Sequence, residues 1–280
     1  MLSELSEIYK QNLPHPFLKW AGGKSRLIQQ YSTYLPSFKN YYEPFLGGGA
    51  VFFYLHARQL TKTVLTDINE ELITTYLCVR DHVDDLISLL KDHECQHSKD
   101  YYYRIRGTTE SSELKKAARL IYLNKTCFNG LYRENSKGEF NVPMGRYKKP
   151  NICDPHSLHL ASMALKSAEI KVRSFEEVLN YASNKEDFVY FDPPYYPVSA
   201  TSNFTSYSRY NFDENQQNKL RDVFVELAER GVKVMLSNSD TLFIRNLYKD
   251  FNIHTISAGR AINSNAKRRG KVNELLIKSY

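Results

Sequence analysis

The stretch Asp187-Phe188-Val189-Tyr190-Phe191-Asp192-Pro193-Pro194-Tyr195 gathers the residues best suited to chemistry. Its β-branched and aromatic run predicts a buried strand that ends at Asp192. Neither proline can donate to a sheet ladder, and Pro193 drives Asp192 away from helical dihedrals, so the chain must leave the sheet there. A carboxylate, a free carbonyl and an aromatic ring are then held at a strand's carboxyl end, the edge where open α/β sheets bind ligands. Taken without its neighbours, the stretch is equally a strand-terminating turn with Asp192 as a local cap.

Two glycine turns lie upstream. In Phe17-Leu18-Lys19-Trp20-Ala21-Gly22-Gly23-Lys24-Ser25 the glycines precede a helical stretch to about Tyr34 and leave backbone amides open to an anion or a carboxylate. This is no phosphate-binding P-loop, because Leu18 stands where that motif needs its first glycine. The second turn, Glu43-Pro44-Phe45-Leu46-Gly47-Gly48-Gly49-Ala50, joins a short apolar strand to an apolar helix and brings backbone close to a ligand or a neighbouring element. Asp67 ends the next strand, Thr63-Thr66, 20 residues after Gly47. That spacing suits an acid accepting hydrogen bonds from the ribose hydroxyls of an adenosine-containing cofactor. Asn69 is placed to cap a helix running towards Arg80.

The elements that must position these residues alternate as strand and helix, with one interruption. Between about 81 and 165 the pattern turns helical, over Val83-Leu90 and Glu113-Asn124. A run from Asn124 to Lys149 rich in Asn, Gly, Arg and Lys follows. Ser136-Lys137-Gly138 is a plausible turn there, which predicts a basic β-hairpin whose Arg and Asn can read base edges and whose Phe and Leu can wedge into a base stack. The α/β pattern resumes with a strand at Glu169-Arg173, a turn at Ser174-Phe175 and a helix to about Ala182. Tyr196 to Phe212 reads as an active-site loop. A helix over Asp213-Glu229, a strand over Val232-Ser237 and a helix over Asp240-Tyr248 come next. Strands near Phe251-Ser257 and Lys271-Tyr280, joined without a helix, suit an antiparallel pair at the sheet's end.

At 280 residues the chain can bury a large core, as one α/β domain or a main domain with a smaller insert. Hydrophobic residues at 42% and charged residues at 25% argue against disorder. A net charge of +7 favours a polyanionic partner such as nucleic acid. The four cysteines form no Cys-x-x-Cys pair and no Cys/His cluster of zinc spacing, so reduced thiols and no metal are expected. Glu4, Glu7 and Lys10 argue against a signal peptide, and no apolar run approaches the ~18 residues of a membrane span. A soluble, cytoplasmic protein without a membrane partner is expected.

The ordered set Phe17-Lys24, Glu43-Ala50, Asp67-Ile68-Asn69 and Asp192-Pro193-Pro194-Tyr195 resembles the Dam-type, D12-class DNA adenine-N6 methyltransferases of the α group. The likeness spans almost the whole chain, including the Phe128-Tyr147 hairpin, the Ser199-Thr205 loop and Ser237-Asn238. It implies a Rossmann-like, S-adenosylmethionine-dependent methyltransferase fold with a helical DNA-recognition insert carrying a β-hairpin. The catalytic domain would comprise residues 1–80 and 166–280, and the insert 81–165 with its hairpin at 128–147. The implied substrate is double-stranded DNA containing GATC, with no obligate protein partner. The implied cofactor residues are Trp20, Ala21, Gly22, Lys24, Glu43, Phe45, Gly47, Gly49, Asp67, Ile68, Ser174, Phe175 and Asp192. For DNA the resemblance implies Phe128 in the base stack, Leu131, Arg133 and Pro143 at base edges, and Lys19 on the first guanine. Asn129, Asn135 and Asn141 would lie alongside, with Arg146 on the backbone. Phe128 departs from the tyrosine usual in enterobacterial members, a change that keeps stacking.

The implied chemistry needs no metal and no nucleophilic cysteine. Adenine N6 is a poor nucleophile because its lone pair is delocalised into the ring. Asp192 and the Pro193 carbonyl would accept its two hydrogens and draw the lone pair out of conjugation, with Pro194 shaping the turn and Tyr195 stacked on the flipped base. Alternatives are methyl transfer to cytosine N4, an RNA adenine or a protein glutamine, the last disfavoured by the basic hairpin. A catalytically idle DNA-binding regulator is a further alternative, against which the intact Asp192, Asp67 and Gly47-Gly49 argue.

Overall fold

The computed structural model describes residues 13–58, 60–135, 137–198, 212–259 and 271–280. After a single helical turn, α1 (Ile28–Tyr31), come β1 (Asn40–Glu43), α2 (Ala50–Leu55), β2 (Lys62–Asp67) and α3 (Glu70–Asp81). Four helices follow: α4 (Val83–Gln96), α5 (Lys99–Gly107), α6 (Glu113–Thr126) and α7 (Pro155–Leu165). The chain then returns to the sheet with β3 (Ala168–Val172), β4 (Asp187–Phe191), α8 (Glu214–Glu229), β5 (Lys233–Ser239), α9 (Leu242–Leu247), β6 (Asn252–Gly259) and β7 (Lys271–Lys278).

The seven strands form one sheet in the order β3-β2-β1-β4-β5-β7-β6. The first five run parallel, and β7 inserts antiparallel between β5 and β6. This is a Rossmann-like, doubly wound α/β sheet. Its order reverses between β1 and β4, the switch point where such sheets open a crevice. Alternate residues of the central strands feed opposite layers. Tyr41, Leu65, Phe188 and Tyr190 join one apolar cluster with the α2 side chains Val51, Phe52 and Phe53. Tyr42, Val64, Val189 and Phe191 join the other with Leu220, Phe224 and Leu227 of α8. Asp187 opens β4 with a buried carboxylate that accepts from the backbone N–H of Ser183 (2.7 Å) and Asn184 (3.1 Å) and from Asn40 Nδ2 (2.7 Å). Each of those bonds offsets the cost of burying that charge.

The helical stretch joins the main core through Leu86, Ile87 and Leu90 of α4, Leu158 and Ala161 of α7, and α6. Ala117, Ala118 and Ile121 of α6 lie in that core, while its Leu120, Tyr122 and Leu123 belong to a third cluster with Tyr102, Phe140, Val142 and Ile152. One helix thus serves two cores.

Three features differ from expectation. The predicted hairpin arms run antiparallel, but among the described residues they meet in isolated bridges, Cys127 to Met144 and Glu134 to Phe140, with backbone bonds such as Asn141 N–H to the Arg133 carbonyl (3.0 Å), and not in a continuous ladder. Asn129 (φ 57°) and Gly130 (φ 63°) take left-handed dihedrals that bend the first arm, and Pro143 has no N–H to donate. The turn is held instead by the Asn135 side chain, whose Oδ1 accepts from the N–H of Lys137 (2.9 Å) and Glu139 (3.0 Å). The segment after Ser174 is a 3₁₀ helix, Phe175–Asn180, closed by a Ser174/Glu177 capping box. The stretch to Tyr34 is a single α-turn between two 3₁₀ turns, Lys24–Arg26 and Ser32–Tyr34. Ser136 of the expected turn, the expected Ser199-Thr205 loop and the basic residues 260–270 lie outside the described residues. Among the described residues no helix is long and apolar enough to cross a membrane.

Candidate active site

A cleft of about 790 Å³ opens at the carboxyl ends of β1, β2 and β4. The glycine turn forms its floor. Gly47 (φ 46°) leaves β1 in a left-handed conformation, and a Cβ there would stand 2.8 Å from Trp20 Cδ1. Its N–H donates to Asp67 Oδ2 (3.1 Å), and its carbonyl accepts from the buried Tyr76 hydroxyl (3.0 Å). Asp67 Oδ1 accepts from the Asn69 N–H (3.0 Å). Each carboxylate oxygen keeps a second lone pair for a ligand hydroxyl. Burial pushes the Asp67 acid up, against the pull of the backbone amides of Asn69 and Gly47.

Glu43, at the end of β1, is buried beside this floor and pushed up to about 8. Burial is the main cause. The Tyr41 hydroxyl, donating at 2.9 Å, opposes it, while the charge of Asp192 adds to it. The folded protein therefore holds a proton that the unfolded chain releases near pH 4.5. Stability from this group is fully present below about pH 4.5 and is lost as pH rises to about 8. The loss is at most about 5 kcal/mol. Chemical denaturation at pH 5 and pH 8 checks this: Glu43→Gln is expected to flatten the difference between the two.

Past β4, Asp192 is half-buried and its Oδ1 is claimed twice, by Lys24 Nζ (2.8 Å) and Ser237 Oγ (2.7 Å). Lys24 is only 2% exposed, bonds the Gly22 carbonyl (2.6 Å) and lies 4.7 Å above the Tyr195 ring. The Tyr195 hydroxyl donates to Glu274 Oε2 on β7 (2.8 Å), an oxygen that also accepts from Tyr31 (3.2 Å). On the opposite wall the Phe45 and Phe175 rings stack at 5.4 Å, with Phe212 against both.

Every residue expected at the cofactor lines this one cleft, together with Asp192, Pro193, Pro194 and Tyr195. So does Tyr132, a hairpin residue that the sequence did not single out. Its ring stacks on Trp20 at 5.3 Å, and its hydroxyl bonds Glu71 (3.0 Å) and Glu134. Chain alternation was the available signal: if Leu131 and Arg133 face outward, Tyr132 faces in. Buried Asn124 ties the same parts together, exchanging hydrogen bonds with the Lys19 backbone (2.8 and 2.7 Å) and donating to the Gly130 carbonyl (3.1 Å).

The residues expected at DNA lie apart from the cleft, along the hairpin. Phe128 is 48% exposed, and Asn129, Arg133, Pro143 and Arg146 are exposed, with Leu131 and Asn141 half-buried. Arg133 Nε donates to Asn141 Oδ1 (2.7 Å). Lys19 Nζ bonds the Tyr147 hydroxyl (3.4 Å). Asn135 differs from its neighbours, since its amide oxygen closes the turn and its Nδ2 bonds Glu139 (2.8 Å).

An acid-proline-proline-aromatic turn opening into a glycine-floored cleft at the switch point is the arrangement of amino methyltransferases of the doubly wound class. Residues 20–262 match the family described as D12 class N6 adenine-specific DNA methyltransferase, and the chain belongs to that family. It is an adenine-specific DNA methyltransferase. Among its relatives, the type II methyltransferase M.MjaIII of Methanocaldococcus jannaschii is 45% identical over 95% of this chain and 99% of the relative. The type II methyltransferase M1.LlaDCHI of Lactococcus lactis subsp. cremoris is 44% identical over 95% of each chain. The DNA adenine methylase of Escherichia coli K12 is 37% identical over 93% of each.

Proposed function

We propose that the protein transfers the methyl group of S-adenosylmethionine to N6 of an adenine rotated out of duplex DNA, within the sequence GATC, in the cytoplasm. The observation that carries this reading is the single cleft shared by the Gly47 turn, Asp67 and the Asp192-Tyr195 turn, walled on one side by hairpin residue Tyr132. Residues 1–80 and 166–280 form the catalytic part and 81–165 the recognition part.

S-adenosylmethionine supplies a methyl group already activated on its sulfonium. Trp20, Lys24, Phe45, the Gly47-Gly49 turn, Asp67 and Phe175 are the residues to hold it, with Asp67 at the ribose hydroxyls. The chain's remaining work is to present N6. Asp192 and the Pro193 carbonyl accept the amino hydrogens, so the nitrogen lone pair is freed as positive charge develops there. Tyr195, its hydroxyl anchored on Glu274, offers the ring on which the base stacks. Rotating the adenine out costs a few kcal/mol, which the basic hairpin's phosphate contacts and the exposed Phe128 ring offset.

Incubation with labelled S-adenosylmethionine and duplexes carrying GATC or a scrambled site is the test. Label in the GATC duplex alone is expected, and equal label in both would overturn the site assignment. Arg133→Ala is expected to shrink discrimination at its base pair by about 10- to 100-fold while slowing association far less.

A further inference from the structure

Four of the acceptor oxygens on the Asp192-Tyr196 turn belong to the Asp192 carboxylate and to the carbonyls of Pro193 and Pro194. Two of the four are already committed. Ser237 at the end of β5 is fully buried and donates to Asp192 Oδ1 at 2.7 Å, with Lys24 on the same oxygen. Because the Ser237 proton is spent on Asp192, the buried Tyr190 hydroxyl 3.0 Å away must donate to Ser237, which fixes the hydroxyl's orientation.

The second commitment is made by a pair of buried amides. Asn238 Oδ1 accepts the backbone N–H of Tyr196 (3.0 Å) and of Ser239 (2.8 Å). Its Nδ2 therefore points away from the backbone and donates to Gln217 Oε1 on α8 (3.0 Å). That in turn aims Gln217 Nε2 at the Pro194 carbonyl (3.0 Å). Both amide side chains are fully buried, so the orientation of each is set by the two backbone N–H groups at one end of the row.

Among the described residues nothing donates to Asp192 Oδ2 or to the Pro193 carbonyl. We infer that Ser237 and the Gln217-Asn238 pair are positioning residues that select these two acceptors, one for each hydrogen of the substrate amino group. The inference rests on amino-methyl transfer at this turn as proposed above. None of these three side chains lines the cleft, and none bonds a proposed cofactor residue other than Asp192. Their loss is therefore felt in the chemical step, because the acceptors can then rotate or pair with water instead of N6.

The test is single-turnover methyl transfer by the full chain, with S-adenosylhomocysteine affinity and the duplex KM measured alongside. Ser237→Ala is expected to slow the chemical step about 30-fold and Gln217→Met about 10-fold. S-adenosylhomocysteine affinity and duplex KM should stay within about threefold of wild type, since neither side chain lines the cleft. Ser237→Thr, which keeps the hydroxyl, should recover most of the rate. Tyr190→Phe should slow the wild type yet cost nothing further in Ser237→Ala, because it acts only through that hydroxyl. Folded variants that turn over within twofold of wild type overturn the inference. So does a loss that falls on KM or on S-adenosylhomocysteine affinity, and so does additivity of Tyr190→Phe with Ser237→Ala. If Gln217→Met does not fold, the Ser237 series decides. Rates are taken on whichever duplex the wild type methylates. Indifference to GATC therefore corrects the target assignment, and an unaffected Ser237→Ala corrects the brace.

Discussion

Asp192→Ala is expected to lower methyl transfer by about 10³-fold or more, because it removes the acceptor proposed for the nitrogen on which charge develops. Affinity for S-adenosylhomocysteine should fall much less, since the glycine turn, Asp67 and the aromatic wall stay in place. The variant has a second expected consequence. Lys24 is buried and pairs with Asp192 at 2.8 Å, so truncation leaves a cation held by the Gly22 carbonyl and the Tyr195 ring with no opposite charge paired to it among the described residues. Breaking one side of such a pair costs roughly 3–5 kcal/mol, which thermal melting will register. Asp192→Asn separates the two effects, because its one oxygen keeps the Lys24 and Ser237 hydrogen bonds while an NH2 donor replaces the Oδ2 acceptor. It should recover stability that alanine loses but little of the activity. Near-normal turnover in Asp192→Ala, measured on protein shown to be folded, would overturn the acceptor role.

Gly47→Ala should be the most damaging single change on the cofactor side. Two costs coincide at this position. The left-handed backbone (φ 46°) carries a strain of about 1–3 kcal/mol for a residue with a Cβ. The added methyl would also sit 2.8 Å from the Trp20 indole, so the ring must leave its stack on Tyr132. A loss of about 100-fold or more in S-adenosylhomocysteine affinity by calorimetry is expected. Because the chain has one tryptophan, a shift in its emission should accompany it. Gly107→Ala, where an added Cβ meets nothing within 4 Å, is the control. Affinity within threefold of wild type in Gly47→Ala would mean that the turn does not hold the cofactor.

The parts of the site that were legible in sequence are those in which one short segment carries both the geometry and the chemistry. The Asp192-Pro193-Pro194-Tyr195 turn, the three glycines and Asp67 are of this kind, since proline, glycine and strand-end rules act over a few residues. Ser237, Gln217, Asn238 and Glu274 were not legible as site residues. Their roles exist only because β5, α8 and β7 bring them to the end of β4, and no local rule fixes that pairing. Lys24 was legible as a cleft residue, and it lines the cleft, but its pairing with Asp192 joins two distant segments and follows from no local rule. The hairpin was legible from its turn and extended arms, whereas the bend that the left-handed Asn129 puts in its first arm cannot be inferred from composition. Two helices went unread for different reasons. The α5 segment is rich in tyrosine and arginine and has little apolar periodicity. The α7 segment carried a readable start, with Asp154 as N-cap and Pro155 in the first turn.

The helix shared by two cores has a consequence for how such an enzyme can change its target. If residues 81–165 packed only among themselves, they could be exchanged between relatives as a cassette. With Ala117, Ala118 and Ile121 set in the sheet domain's core and Asn124 stapled to the Lys19 backbone, a transplanted segment would arrive with the wrong knobs for its new sockets. If the hairpin reads DNA as proposed, new specificities are therefore reached more readily by point substitution on its outer face than by shuffling whole modules.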